Sequence, residues 1–390
     1  MLFDLTSAHS ANLSMSPNGA SSGICVHRPR VCHRLRKRTS VDVCKTDLRG
    51  IARLGPQSQT DMTTELSFSS TASEAAAAFT AEIRGKNVLI TGTSIDGIGF
   101  EAAKAIAPYA NLVIITGYDA ERLRLSEAAI KQHVPEANVR KLTLDLSSLS
   151  AVRTAAAEVN AYSEPIHVLV NNAAAAIAPF KLTVDGFENQ IATAHLGPFL
   201  FTKLLFPKLL QSASATFTPR VVMVASNAHL FGKGVDFEHG LKRNPDESKH
   251  NVGLAYFQAK SANIMFAREL AIRGEGKVLA FSLHPGVIMT NINKKDVTAP
   301  ILQAVKILDA EGKPNTKDFN WKTIPQGAAT TVTAAFDPSL KDKSGAYLND
   351  CKVTATITNT EKLAPHTSSL DNSKKLWEIT EELIGEKFET

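Results

Sequence analysis

Short apolar runs rich in β-branched residues alternate with longer stretches of helical periodicity through most of this chain. Residues 87–90, 112–116, 139–144, 167–170, 220–225 and 278–283 predict strands. Between them, apolar positions recur every three or four residues over 100–107, 120–133, 149–161, 185–210 and 253–273, which predicts helices. Strand and helix alternating in this way, with right-handed crossovers, imply an α/β fold: a doubly wound parallel sheet of about seven strands, helices on both faces, in a single domain. The long helix expected at 185–210 has a mostly apolar face through Leu196, Phe199, Leu200, Leu204 and Leu205. That face reads as core or as a subunit contact, so a homo-oligomer stays open.

Polar residues then gather where such a sheet would bind a ligand, at the carboxyl ends of its strands. The first strand runs into Thr91-Gly92-Thr93-Ser94-Ile95-Asp96-Gly97-Ile98-Gly99, and a helix follows. Strand, glycine-rich turn and helix bring backbone amides and a positive helix terminus up to a pyrophosphate, although the glycines alone would also serve a tight turn. Asp145 follows the third strand, Asn171-Asn172-Ala173 the fourth, Ser226 the fifth, and His284-Pro285-Gly286-Val287-Ile288-Met289-Thr290 the sixth. Each also has a plain reading as turn or cap chemistry. Tyr256 and Lys260, four residues apart, share one helix face. An ammonium beside a phenol lowers its pKa and makes it a usable proton donor and acceptor; the alternative is an aromatic core residue with a solvated lysine one turn on.

Composition narrows the partners. With 44% hydrophobic and 21% charged residues over 390 positions, the chain is ordinary globular material. Its net charge of +5 resides in residues 1–61, which hold nine of the 43 Lys and Arg and four of the 38 Asp and Glu; the rest is balanced, and nothing argues for nucleic acid or an anionic membrane. Three of the four cysteines (Cys25, Cys32, Cys44) lie in that segment, leaving Cys351 in the body and no disulfide framework, which fits a reducing compartment. No apolar run suffices for a membrane span, and no clustered His, Asp and Glu have metal-ligand spacing. Residues 1–75 read as a disordered, basic amino-terminal segment, and the folded domain as residues 84–390. A mitochondrial transit peptide, a nuclear-localisation patch at Arg34–Arg38 and a true start at Met62 compete for residues 1–61, with the cytoplasm as the default location and mitochondria as the alternative.

Taken together and in this order, the motifs resemble the short-chain dehydrogenase/reductase family, and within it a retinol-dehydrogenase-like and fungal oxidoreductase branch, over roughly residues 86–385. His195-Leu196-Gly197, Gln326-Gly327-Ala328-Ala329 and Leu376-Trp377 resemble the same branch. The resemblance implies a Rossmann-type domain and an NAD(P)-dependent oxidoreductase acting on a carbonyl or secondary alcohol of a small, hydrophobic molecule. It implies Tyr256 as proton donor and acceptor, Lys260 as the group lowering its pKa and holding the nicotinamide ribose, and Ser226 as the hydrogen-bond donor to the substrate oxygen. Cofactor contacts would come from Thr91, Gly92, Ser94, Gly97, Ile98 and Gly99 at the pyrophosphate, and from Tyr118, Asp145 and Leu146 around the adenosine. Asn172 and Ala173 would flank the adenosine ribose, and Pro285, Ile288 and Thr290 would bind at the nicotinamide.

Four positions depart from the family pattern. The glycine turn has one residue more than usual, near Ile95 and Asp96, and Ala174 replaces a customary glycine. Ala194 stands where an asparagine usually holds a water in the proton relay behind the lysine, so either Thr193 substitutes, the relay works poorly or catalysis is lost; a slowed but working enzyme is expected, because Ser226, Tyr256 and Lys260 are all present. Gly117 and Tyr118 follow the second strand, where an acidic residue would select NAD and an arginine NADP; Arg122 and Gly117 tilt the choice slightly to NADP. The substrate pocket would draw on the passage after Ser226, including His229 and Phe231, and on residues 291–321, whose Ile301, Leu302, Val305, Ile307 and Leu308 form an apolar lid or a core helix.

Overall fold

The computed structural model describes residues 65–175, 177–290, 298–304 and 306–390. The expected leader at 1–61, and residues 291–297, Val305 and the side chain of Ile301 in the expected lid, lie outside what it describes. Helix α1 (Ala72–Ala78) begins at Thr71, whose hydroxyl accepts from the Glu74 N–H while Glu74 Oε2 accepts from the Thr71 N–H at 2.7 Å. This reciprocal capping box, together with burial of Ala72, Ala75 and Ala76, gives order to residues that the sequence reading left structureless as far as 75.

After α2 (Thr80–Ile83), the chain alternates as its periodicity predicts: β1 (Asn87–Ile90), α3 (Ile98–Ile106), β2 (Leu112–Gly117), α4 (Ala120–His133), β3 (Val139–Thr143), α5 (Leu149–Asn160) and β4 (Val168–Asn171). The helix expected over 185–210 starts later and is not uniform. It comprises α6 (Asn189–Ile191), a π-helical turn (Ala192–Leu196) and α7 (Gly197–Leu210). Then come β5 (Arg220–Val224), α8 (Val252–Arg273), β6 (Leu279–His284), β7 (Val287–Ile288), α9 (Ala299–Ala304), β8 (Trp321–Lys322), α10 (Ile324–Phe336), β9 (Tyr347–Asn349), β10 (Lys352–Ala355), α11 (Pro365–Ser368) and α12 (Leu370–Ile384).

The main sheet has the order β10-β9-β6-β5-β4-β1-β2-β3. Seven of these strands are parallel, and β10 adds an antiparallel edge through a register shift between Val353 and Ala355. Because alternate side chains leave opposite faces, Leu89 joins one core with α5, α7, α8 and α12, while Val88 and Ile90 join the other with α1, α3 and α10. Burial on both faces explains why the strands read as unbroken apolar runs rather than as alternating ones. Ile90 lies level with Ile115 and Val170, so the turns after β1, β2 and β4 open side by side. Among the described residues no helix is long and apolar enough to cross a membrane.

Candidate active site at the carboxyl edge of the sheet

The glycine turn is shaped by close approach. Gly92 has φ +71°, and a Cβ there would come within 2.8 Å of Ala173. At Gly99 an added Cβ would lie 2.4 Å from Asn172 Nδ2 and 2.7 Å from the Gly92 carbonyl. The Asn172 amide in turn donates to the Thr91 carbonyl at 2.8 Å and the Gly92 carbonyl at 3.0 Å, while the Thr91 hydroxyl accepts from the N–H groups of Asn172 and Ala173. Asn172 therefore acts first as the clamp between β4 and the turn. The extra residue of the turn is absorbed at the surface: Asp96 is exposed with φ +60°, and the Gly97 N–H closes the turn on the Ser94 carbonyl at 3.1 Å. Helix α3 begins at Gly97 with no side-chain cap, which leaves its positive end facing the turn.

The ends of β2 and β3 lie beside this turn. Ser94, Gly117, Tyr118, Asp119 and Arg122 line one shallow concavity, with Tyr118 66% exposed. Asp145 is half-buried and turned onto Ser147, accepting from its N–H at 2.9 Å and its hydroxyl at 2.6 Å. Leu146 is buried, and an added Cβ at Gly197 would lie only 2.3 Å from its carbonyl, so the glycine lets α7 reach the end of β3.

Across the sheet, β5 delivers Ser226 in extended conformation, where its Oγ accepts from the Ala228 N–H at 3.1 Å. Helix α8 starts on an Asn251 cap and carries Tyr256 and Lys260 towards Ser226. Lys260 is buried, and its Nζ donates to the Val224 carbonyl at 3.0 Å and lies 5.7 Å from the Tyr256 ring centre. Burial lowers the lysine pKa to about 8. The half-buried Tyr256 phenol is pushed above its ordinary value by desolvation, with a hydrogen bond to Ser226 acting in the other direction. Serine, tyrosine and lysine thus converge as the helical spacing requires. Tyr256 is neither a packed core aromatic nor Lys260 a solvated cation.

Past β6, Pro285 and Ile288 lie against α10: an added Cβ at Gly327 would meet Ile288 Cδ1 at 2.1 Å. Ile288 is buried, and Thr290 is half-buried at the end of this described stretch.

Several supports escaped the sequence reading. Lys322, its side chain fully buried, pairs with Asp350 at 2.6 Å and packs under Gly286, which has φ +107°. His284 Nδ1 accepts from the Asn227 N–H at 3.2 Å, and Asn227 Oδ1 accepts from the Tyr347 hydroxyl at 2.8 Å, bracing the loop after Ser226. Burial lowers the pKa of His284 to about 4. His229 is wholly buried, its Nδ1 bonded to the Ser226 carbonyl at 2.8 Å, and so serves this bracing rather than a substrate surface. Phe231, by contrast, is 59% exposed and lies 5.5 Å from the Phe257 ring. Among the described residues no group of three or more His, Cys, Asp or Glu could hold a metal.

Comparison with known proteins agrees with this geometry. The model of the short chain dehydrogenase family matches residues 86–235. Short-chain dehydrogenase TIC 32 A, chloroplastic, of Brassica napus is 34% identical over 306 residues, covering 76% of this chain and 88% of the relative. Retinol dehydrogenase 12 of Homo sapiens is 33% identical, covering 79% and 89%. A crystal structure of a protein from Mycobacterium paratuberculosis superposes with a TM-score of 0.57 at 26% identity, covering 79% of this chain and 98% of that one. The chain belongs to the short-chain dehydrogenase/reductase family, in its retinol-dehydrogenase-like branch, and is an NAD(P)-dependent oxidoreductase.

Proposed function

We propose that this protein transfers hydride between a nicotinamide cofactor and a carbonyl or secondary alcohol of a small, apolar molecule, with Ser226, Tyr256 and Lys260 as its catalytic residues. The observation that carries the reading is their convergence: Lys260 Nζ sits on the carbonyl of Val224, two residues before Ser226, and 5.7 Å from the Tyr256 ring centre.

The chain fits a dinucleotide, because helix α3 begins at Gly97 with no side-chain cap and turns its positive end to the glycine turn. Gly92, Ser94, Gly97, Ile98 and Gly99, with Thr91 behind them, would hold the pyrophosphate. Tyr118, Asp145, Leu146, Asn172 and Ala173 would hold the adenosine, and Pro285, Ile288 and Thr290 the nicotinamide end. Bound there, the cofactor supplies or accepts the hydride. In reduction the Tyr256 phenol donates its proton to the substrate oxygen, and in oxidation the phenolate takes the alcohol proton. Ser226 holds that oxygen in place as charge develops on it. Lys260 brings the positive charge that draws the phenol pKa back down from the value burial gives it. Leu230, Phe231 and Leu254, each at least 42% exposed, form an apolar rim beside this group and favour a hydrophobic substrate.

NADP(H) is preferred over NAD(H), since Arg122 stands beside Gly117 at the end of β2 and Asp96, the carboxylate of the glycine turn, is exposed. A panel of hydrophobic ketones and aldehydes, followed by nicotinamide absorbance with each reduced cofactor, tests the reading. Turnover with a lower Kd for NADPH is expected. Cofactor binding without turnover of any carbonyl would instead favour a dinucleotide-binding protein acting through partners, and tighter NADH binding would reverse the cofactor preference. The working location is the cytoplasm. Organelle import through residues 1–61 is the second reading, favoured by the chloroplastic designation of a relative; a native amino terminus at residue 1 or 2 would count against removal of a leader.

A further inference from the structure

The relay asparagine is missing at Ala194, yet the structure brings an amide from another helix onto the main chain of that turn. Ala194 lies within the π-helical turn, where the widened helix shifts its carbonyls off the regular ladder. Opposite it is Asn263 of α8, three residues beyond Lys260 and therefore on the same helix face. Asn263 is 2% exposed, and its amide lies among three main-chain carbonyls. One end lies 2.6 Å from the Ala194 carbonyl and 3.2 Å from that of Ala259. The other lies 3.3 Å from the Val224 carbonyl.

Only one end can be the donor. Two acceptor oxygens at 2.6 Å repel, so the nitrogen faces Ala194, and the longer, weaker contact at Val224 yields. The amide oxygen then lies beside the Val224 carbonyl, where a donor shared between the two oxygens would stabilise both. Lys260 Nζ already donates to that carbonyl at 3.0 Å. We infer that Asn263 is a positioning residue that ties the Lys260 ammonium to the π-turn, in place of the side chain absent at Ala194. The inference rests on the proposed role of Lys260 at the cofactor.

Other groups around Lys260 do not supply this link. Tyr256 lies on the same helix with its ring centre 5.7 Å away. His284, at the end of β6, is neutral over the working range because burial lowers its pKa to about 4; Asp350, Lys322 and His229 surround His284 in turn. The one titratable side chain of the π-turn, His195, bonds Thr380 at 2.8 Å. An acceptor beside an ammonium stabilises its charged form, so removing Asn263 lowers the lysine pKa further.

The test compares wild type, Asn263→Ala and Asn263→Ala/Ala194→Asn in two assays from pH 6 to 10: NADPH binding by nicotinamide fluorescence, and kcat for an active carbonyl. For Asn263→Ala, the alkaline midpoint of NADPH binding should fall by about one pH unit. Its kcat should fall about tenfold with substrate KM little changed. Restoring an asparagine at 194 should recover most of both losses. A single variant with wild-type midpoint and kcat overturns the inference, as does a loss of both that tracks its melting temperature and is not rescued. If wild type binds NADPH but reduces no carbonyl, the hydride-transfer reading falls, while the binding midpoint still decides for or against Asn263. If wild type binds no dinucleotide, both fall.

Discussion

The two halves of the carboxyl edge are built on opposite principles. Around the glycine turn, satisfied hydrogen bonds and absent side chains do the shaping: Asn172 and Thr91 bond the backbone, and Gly92, Gly97 and Gly99 admit contacts that any Cβ would break. Around Ser226 the important groups are charged or titratable and held against their preference. Lys260 is buried with its Nζ on the Val224 carbonyl, and desolvation raises the Tyr256 pKa and lowers that of His284. The first half is a fitted cradle, in which substitutions should cost binding and stability together. In the second, reactivity should oppose stability.

Lys260→Met separates the two principles most sharply. Activity should fall by about 10³-fold if the ammonium assists proton transfer. The fold should nevertheless gain roughly 1–3 kcal/mol, because a buried charge is replaced by an apolar chain of similar length. The sign follows from the depressed pKa of about 8 against the usual 10.5. Between these values the unfolded chain binds more protons, so the penalty is carried in full below about pH 8 and fades as pH rises towards 10.5. Melting curves at pH 7 and pH 10 check this, and an equal gain at both would contradict it. Gly99→Ala should show the opposite linkage, with a smaller effect: about 1–3 kcal/mol lost, as the Cβ displaces either the Asn172 amide or the Gly92 carbonyl. Cofactor affinity should drop with it, and isothermal titration beside a thermal melt would show whether the two move together.

This division also governs what could be read from the sequence. Strands buried on both faces show as unbroken apolar runs, and α4 (Ala120–His133) lies where its periodicity predicts. The Tyr256–Lys260 pair and the glycine turn were legible because local spacing alone brings their parts together. The π-turn at Ala192–Leu196 was not, since one inserted residue leaves the apolar pattern of Leu196 to Leu205 intact. The capping box of Thr71 and Glu74 was present as a Thr-x-x-Glu spacing and was passed over in an alanine-rich stretch. Lys322, Asp350, Tyr347 and Asn263 carried no signal as site supports, because their partners lie far away along the chain or, for Asn263, on a neighbouring helix. Strands as short as β9 (Tyr347–Asn349) are below the length at which periodicity is readable.

The central claim is that Tyr256 moves the proton and contributes little to holding the dinucleotide. Single-turnover oxidation of bound NADPH by a carbonyl substrate, wild type against Tyr256→Phe, tests it most directly. The account predicts a rate lower by about 10²- to 10⁴-fold in the variant, with the Kd of NADPH within about twofold of wild type. A variant that oxidises NADPH at the wild-type rate would contradict it.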